Sequence, residues 1–471
     1  MPASESLEIV IIGLGVGGLY ASKSALSFNR KCHVTIIERR DFDQFSPCGL
    51  PYVVEGLVKD FDALKYEVPA FGTKLTKLLR HEAIGIDKKR KVVRAKDSAT
   101  GEEKEIGYDA LILAFGALPV ILPIPGAREF MGRGVHALWN IESGRDLLKA
   151  AQESRKGRAV VVGGGAMGLE AAVGLRGRGL DVAVTKRTPH PFPRNLDPAM
   201  GTIITDHLEK MGMRVLFGRG IDRINGTDRV ESVEIAGETI ECDIVVMAVG
   251  MRGDLGLADM AGAQTDKGFI VVNDRMETSA ADVYAVGDLV RTHSRIDGTP
   301  DTMQLATAAF RQGMAAGVNA AGGDTSYPGA LNTFLTVIGG LQVASTGYTL
   351  ERAQKLGFDA KAVSTVREIR PHYMPDAHPL HLRVVCEAGT GRLLGAQAAG
   401  REGASWRINL FSLAIQAGMG LHDLLDTELA YNPPVSQMYD PITQIAEVGI
   451  KRLGLPPRKI TSRGSISSAH T

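Results

Sequence analysis

The chain has 471 residues, more than one hydrophobic core usually serves, so two to four domains are expected. Its 54 Lys and Arg balance 53 Asp and Glu with no long block of one sign, which argues against nucleic acid and anionic membranes and points to small-molecule partners. The four cysteines, Cys32, Cys48, Cys242 and Cys386, stand far apart without CxxC or zinc spacing, as suits a reducing cytoplasm and no structural disulfide.

Near the N-terminus, LEIVIIGLGVGGL breaks into glycines too early for a signal segment or a bilayer span, so a soluble protein is expected. Residues 7–12 read as a buried strand, followed by the GxGxxG of Gly13, Gly15 and Gly18 and a helix from about Leu19 to Phe28. The strand HVTIIE then ends in Glu38, 25 residues beyond Gly13, where a carboxylate can bind the ribose hydroxyls of an adenine dinucleotide. Strand, glycines, helix and acid together predict a dinucleotide-binding βαβ unit.

SPCGLPYVVEGL follows at 46–57 and sets Cys48 just before a helix start supported by Pro51. At a helix N-terminus unpaired N–H groups and the dipole can lower a thiol from about 8.5 to roughly 3.5–7.5, which would make Cys48 a thiolate near neutral pH. The alternative is an inert cysteine buried in a turn. YDALILAFGALPVILPIPG, 108–126, has a strand, a glycine turn at Gly116 and a proline-rich exit that reads as a crossing between domains.

The opening pattern repeats at 159–187, with Gly163, Gly165 and Gly168 in a second strand–GxGxxG–helix–strand unit. Here the acid is missing: 23 residues past Gly163 stands Lys186, followed by Arg187. Two cations would pair with a 2′-phosphate, favouring NADPH with NADH still possible, unless both are solvated surface charges. DVYAVGDLV, 282–290, runs a strand into Gly287 and Asp288, a placement suited to a flavin ribityl or pyrophosphate. From about Leu331 alternating strands, TFLTVI, LQVASTGY and HLRVVCEA, and a helix around 406–418 predict an α+β module, and residues 457–471 an unstructured polar tail. His372, His378 and His381 lie in a proline-containing stretch, and no metal site is expected there.

With these landmarks the chain to about Leu455 resembles the flavin-dependent pyridine nucleotide–disulfide oxidoreductases. More narrowly it is similar to the single-cysteine branch of coenzyme A disulfide reductases, NAD(P)H oxidases and peroxidases, and sulfur or polysulfide reductases. PCGLPYVVEGL, LILAFGALP, METSAADVYAVGDL and YNPPVSQMYDP fall in the family's order. The resemblance implies an α/β fold of two Rossmann-like domains, FAD-binding (1–120 and 251–330) and NAD(P)-binding (121–250), plus a C-terminal α+β dimerisation domain (331–456).

It further implies that Gly13, Gly15, Gly18, Glu38 and Asp288 hold FAD, that Gly163, Gly165, Gly168 and Lys186 hold the nicotinamide nucleotide, and that Cys48 is the redox thiol. Arg39, Gly116, Arg187 and Gly287 complete the candidate cofactor set, and Tyr373 and Arg311 are candidate substrate contacts. In the glutathione-reductase class a second cysteine stands five positions on; here Val53 does, so an internal disulfide gives way to a mixed disulfide, a persulfide or a sulfenic acid at Cys48. Tyr431, in YNPP, is expected to cross a homodimer interface to the other subunit's cysteine and protonate a leaving sulfur, the alternative being an ordinary interface tyrosine.

The family's oxidase and peroxidase members carry a histidine in the first glycine motif where this chain has Val16. The bacterial coenzyme A disulfide reductases carry arginines on the first helix, where Lys23 is the only cation here. Of the paired tyrosines in a YYPGA-like segment, Tyr373 and Met374 stand in their place. The expected activity is reduction of a small disulfide, of coenzyme A disulfide type, or of a persulfide at Cys48. Polysulfide reduction and NAD(P)H oxidase activity are the alternatives within enzymes. Outside them stands an electron-transfer or signalling flavoprotein in which Cys48 only packs.

Overall fold

The computed structural model describes residues 6–69 and 72–457; the expected tail lies outside them from residue 458 on. The chain forms two compact units, one of residues 1–193 and 201–339, the other of 194–200 and 340–471.

In the first unit the apolar runs become parallel strands because both of their faces are covered. β1 (Glu8–Ile12) leads through the first glycine loop into α1 (Val16–Phe28) and β2 (His33–Glu38). The helix begins three residues earlier than expected because the glycine loop itself supplies its first turn, with Gly17 and Gly18 buried inside it. Short α2 (Leu50–Glu55), β3 (Leu75–Leu79) and β4 (Ala110–Leu113) follow.

After β4 the chain passes to a second parallel sheet, and at this passage Leu118–Pro119 pairs antiparallel with the returning Met251–Arg252. The second sheet comprises β5 (Val135–His136), β6 (Arg158–Val162), β7 (Asp181–Lys186), β8 (Arg214–Phe217) and β9 (Ile244–Met247), in the order β5-β9-β6-β7-β8. Between β5 and β6 lies α3 (Ile141–Gln152), and between β6 and β7 lies α4 (Ala166–Gly177). The returning chain adds β10 (Val283–Ala285) beside β4, completing the first sheet as β10-β4-β1-β2-β3.

α5 (Ala306–Ala320) then packs on α1 at backbone contact: a β-carbon at Gly313 would stand 2.3 Å from the Gly17 carbonyl oxygen, and one at Gly317 2.1 Å from that of Ala21. β11 (Phe334–Ile338) ends the unit.

In the second unit β12 (Leu341–Gly347), β13 (Ala360–Glu368), β14 (Pro379–Glu387) and β15 (Leu393–Gly400) pair antiparallel in the order β12-β15-β14-β13. α6 (Ala404–Gln416) packs on β12 and β15, and α7 (Pro441–Leu453) on β13 and β14. The two helices are tied by Arg407, wholly buried, which donates to both carboxylate oxygens of Asp440 at 3.0 and 2.6 Å, while Asp440 also caps α7 through the Ile442 N–H at 2.9 Å. Among the described residues no helix is long and apolar enough to cross a membrane, and no group of three or more His, Cys, Asp or Glu could hold a metal ion.

Candidate active site

Both glycine loops have the same division of labour. A β-carbon at Gly13 would stand 2.5 Å from the Ala114 oxygen and one at Gly18 2.0 Å from the Gly13 oxygen, so neither can be replaced without moving backbone. The middle glycine, Gly15, faces open space, with nothing within 4 Å of its would-be β-carbon. In the second loop Gly163 and Gly168 would strike the Ala248 and Gly163 oxygens at 2.1 and 2.6 Å, and Gly165 again faces open space. Each loop therefore leaves, at the N-terminus of α1 or α4, a backbone cradle that a β-carbon would fill and a pyrophosphate fits. Gly116 also opens onto empty space at φ +72°.

The strand-end residues fall beside these loops. Glu38 is buried at the end of β2, where it accepts the Leu14 N–H from within the first loop at 2.7 Å. Burial alone would raise its carboxyl, but hydrogen bonds and charge from Arg40 hold it below the usual carboxylate range. Arg40 does this with a fork, Nε to Oε1 and one terminal nitrogen to Oε2, both at 2.8 Å. Arg39 is exposed and its guanidinium lies over the Trp139 ring, 5.3 Å from the centroid. The arginine engaging the expected acid is thus Arg40, which adjacent arginines in a sequence do not distinguish.

At the end of β7, Lys186 lies over the second loop: a β-carbon at Gly164 would meet its Cδ at 3.0 Å. Burial lowers the Lys186 ammonium from its ordinary value. Arg187 is exposed, its stem against Gly220. Gly287, at φ +83°, donates its N–H to buried Gln312 on α5 at 2.8 Å, and burial pushes neighbouring Asp288 up to about 6.

All four cysteines are free; Cys48 is exposed and the other three are buried. Cys48 sits in the helical turn Pro47–Gly49 that precedes α2, with Pro51 in the first turn of α2. The expected lowering of its thiol is not what the chain's own groups produce. Although the residue reaches solvent, lost solvation on its protein side pushes the thiol up, and the charges of Glu170 and Asp288 push it further. The six-residue α2 offers too short a dipole to reverse this.

One turn beyond Cys48, the Tyr52 hydroxyl donates to Glu170 Oε1 at 3.3 Å, and Thr336 donates to the same oxygen at 2.5 Å. Burial and the neighbouring carboxylate move Tyr52 up to about 12, and burial raises Glu170 as well. Sequence reading missed this trio. Its signals were Tyr52, four residues after Cys48, and a lone acid two residues past Gly168 within α4.

Within the second unit Tyr373 and Tyr431 come together. Both are exposed, and a hydrogen bond shared with the Tyr373 side chain raises Tyr431. Arg311 lies exposed on α5 in the first unit.

Two parallel sheets, each with a glycine cradle at the start of one helix, α1 or α4, and a charged residue at the end of the strand that follows it, define a fold built for two dinucleotides. The chain belongs to the pyridine nucleotide-disulphide oxidoreductase family: residues 7–313 match the family, and residues 333–441 match its dimerisation domain. The resemblance read from the motifs is thereby borne out for family, fold and cofactors, and the protein is an FAD-dependent NAD(P)H oxidoreductase. It is 35% identical to an NADH oxidase of Methanocaldococcus jannaschii over 95% of this chain and 99% of that one. It is 31% identical to a CoA-dependent NAD(P)H sulfur oxidoreductase of Pyrococcus furiosus, over 94% and 99% respectively. The solved structure of an NAD-dependent persulfide reductase from A. fulgidus superposes with a TM-score of 0.89 at 32% identity, covering 95% of this chain and 84% of that one.

Proposed function

We propose that the protein reduces a small disulfide, of coenzyme A disulfide type, or a persulfide at Cys48, as a homodimer in which Tyr431 of one copy serves Cys48 of the other. The single observation that carries this reading is that Cys48 is the one exposed cysteine of the four, standing in the turn just before α2. The names of the sulfur oxidoreductase and persulfide reductase relatives support it, and the matched dimerisation domain supports the second copy.

Gly13, Gly15, Gly18, Glu38 with Arg40, Gly116, Gly287 and Asp288 would hold FAD, and Gly163, Gly165, Gly168 and Lys186 the nicotinamide nucleotide. Bound there, FAD would supply the redox chemistry that links NAD(P)H to sulfur. The chain's part is nucleophile and proton donor. The Cys48 thiolate would bond one substrate sulfur and displace the other as a thiolate, which Tyr431 would protonate; two electrons would then cleave the new S–S bond, restoring the Cys48 thiolate, and the second substrate sulfur would leave as a thiol on taking up a proton. The balance is RSSR′ + NAD(P)H + H⁺ → RSH + R′SH + NAD(P)⁺. Tyr373, which shares a hydrogen bond with Tyr431, would orient that phenol.

Cys48→Ser should retain bound flavin and its reduction by NAD(P)H yet lose turnover with disulfide or persulfide. Near wild-type turnover in this variant would remove the thiol from the chemistry and favour a flavoprotein that hands electrons to another acceptor. Oxygen reduction is the second enzymatic reading, favoured by the name of the M. jannaschii relative, and it would survive the substitution.

A further inference from the structure

Two adjacent residues of α5 meet both ends of the flavin cradle described above. A β-carbon at Gly313 would stand 2.3 Å from the Gly17 carbonyl oxygen, in the first turn of α1 just past the first glycine loop, so the two helices touch there backbone to backbone. The side chain of the preceding residue, Gln312, accepts the Gly287 N–H on its Oε1 at 2.8 Å. Gly17 also faces the second end: a β-carbon there would come within 2.8 Å of Cγ2 of Val286, the residue before Gly287. The start of α1, the Gln312–Gly313 step of α5 and the Val286–Gly287 step therefore pack as one unit with almost no play between them.

Gly287 needs an acceptor from outside its own segment. β10 stops at Ala285, and the Val286 N–H is taken by the Leu113 carbonyl at 3.0 Å. The chain then turns at φ +83° into the short helical turn Gly287–Leu289, whose first N–H has no acceptor within the turn. Gln312 supplies one from a position only 1% exposed. The other half of the amide is poorly used. Its Nε2 is buried and forms no hydrogen bond; the Tyr327 phenol is near enough for the amide to oppose the burial that pushes that phenol up to about 12, yet is not placed for a formed bond. A buried amide nitrogen without a partner is costly, and an apolar side chain of the same length would fill the space without that cost. What the glutamine adds over such a side chain is the oxygen on Gly287.

We propose that Gln312 is a positioning residue for flavin binding, which fixes the Gly287–Asp288 turn against the first glycine loop so that the Asp288 carboxylate and the pyrophosphate cradle are set for the two parts of one FAD. The proposal rests on the reading that Asp288 and the first loop hold FAD. Without the acceptor, the Gly287 N–H is free to turn toward water, which rotates the peptide ahead of Asp288. Flavin then has to draw the turn back, and the cost of the lost hydrogen bond appears in flavin affinity.

Equilibrium dialysis of the flavin-loaded protein against stepped FAD concentrations, with released flavin read by its fluorescence, measures this without turnover. Gln312→Met keeps the volume and removes the acceptor, and its Kd for FAD should rise roughly 5- to 150-fold. Gln312→Leu, which removes the oxygen with a different shape, should follow it, whereas Gln312→Glu, whose carboxyl oxygen accepts the same N–H, should stay closer to wild type. Asp288→Ala should weaken FAD by itself, and in that background Gln312→Met should add no more than about twofold, because the residue through which it acts is gone. A side chain that only filled the core would weaken FAD by the same factor in both backgrounds, and that additive result would overturn the proposal. Wild-type affinity in Gln312→Met and Gln312→Leu beside a weakened Asp288→Ala would also overturn it and leave the cradle reading standing. Wild-type affinity in Asp288→Ala would overturn the cradle reading, and the proposal with it.

Discussion

Nucleotide preference offers the sharpest electrostatic test, because Lys186 stands where a ribose-binding acid is expected. Its stem lies over the second glycine loop, where a β-carbon at Gly164 would meet its Cδ at 3.0 Å. A charge-assisted hydrogen bond of this kind contributes about 1.5–3 kcal/mol, and at about 1.36 kcal/mol per factor of ten that is roughly 10- to 150-fold. Burial lowers the ammonium from its ordinary value, and a bound 2′-phosphate acts in the opposite sense by favouring the charged form. NADPH should therefore exceed NADH in kcat/KM by at least about tenfold. Lys186→Glu should remove the attraction, add repulsion to the phosphate and offer an acceptor to the ribose hydroxyls, swinging the preference toward NADH. Stopped-flow reduction of the flavin by each nucleotide isolates the step, and the sulfur half-reaction should be unaffected. Equal reduction of the wild type by both nucleotides, or a variant whose preference does not move, would show that Lys186 contributes nothing to phosphate recognition.

Tyr431→Phe should preserve fold and flavin, since the residue is exposed, and slow the sulfur half-reaction by about 10²- to 10⁴-fold; a fully active monomer in sedimentation and rate measurements would refute the partner role. His136 is buried on β5, and burial pushes it down to about 4 against an ordinary 6.5. A depressed histidine leaves the unfolded chain binding the extra proton, so its contribution to stability is intact above about 6.5 and is lost as pH falls toward about 4; denaturant unfolding of His136→Gln should show a flatter pH dependence across that window, and an unchanged slope would refute this.

What the sequence determined by itself is what neighbouring residues decide among themselves. A buried strand, a tight glycine turn and a helix lie within about thirty residues in each βαβ unit, so β1 with Gly13, Gly15 and Gly18, and β6 with Gly163, Gly165 and Gly168, were legible from apolar runs and glycine spacing. Glu38 and Lys186 could be placed because a strand's length sets where it ends. The strands near 334–338, 341–347 and 379–387 were readable for the same reason.

Only the tertiary structure decided the electrostatics. A thiol beside a proline-started helix looks activated in one dimension, yet lost solvation and then the charges of Glu170 and Asp288, from distant parts of the chain, push Cys48 the other way. The choice of Arg40 over Arg39 depends on which guanidinium turns toward a carboxylate buried beneath the first loop. Tyr52, Glu170 and Thr336 each read as unremarkable residues on three separate elements until packing set two hydroxyls on one oxygen. Periodicity and turn chemistry are short-range along the chain, whereas a pKa sums every charge and every lost water around a group, and those neighbours are chosen by the fold.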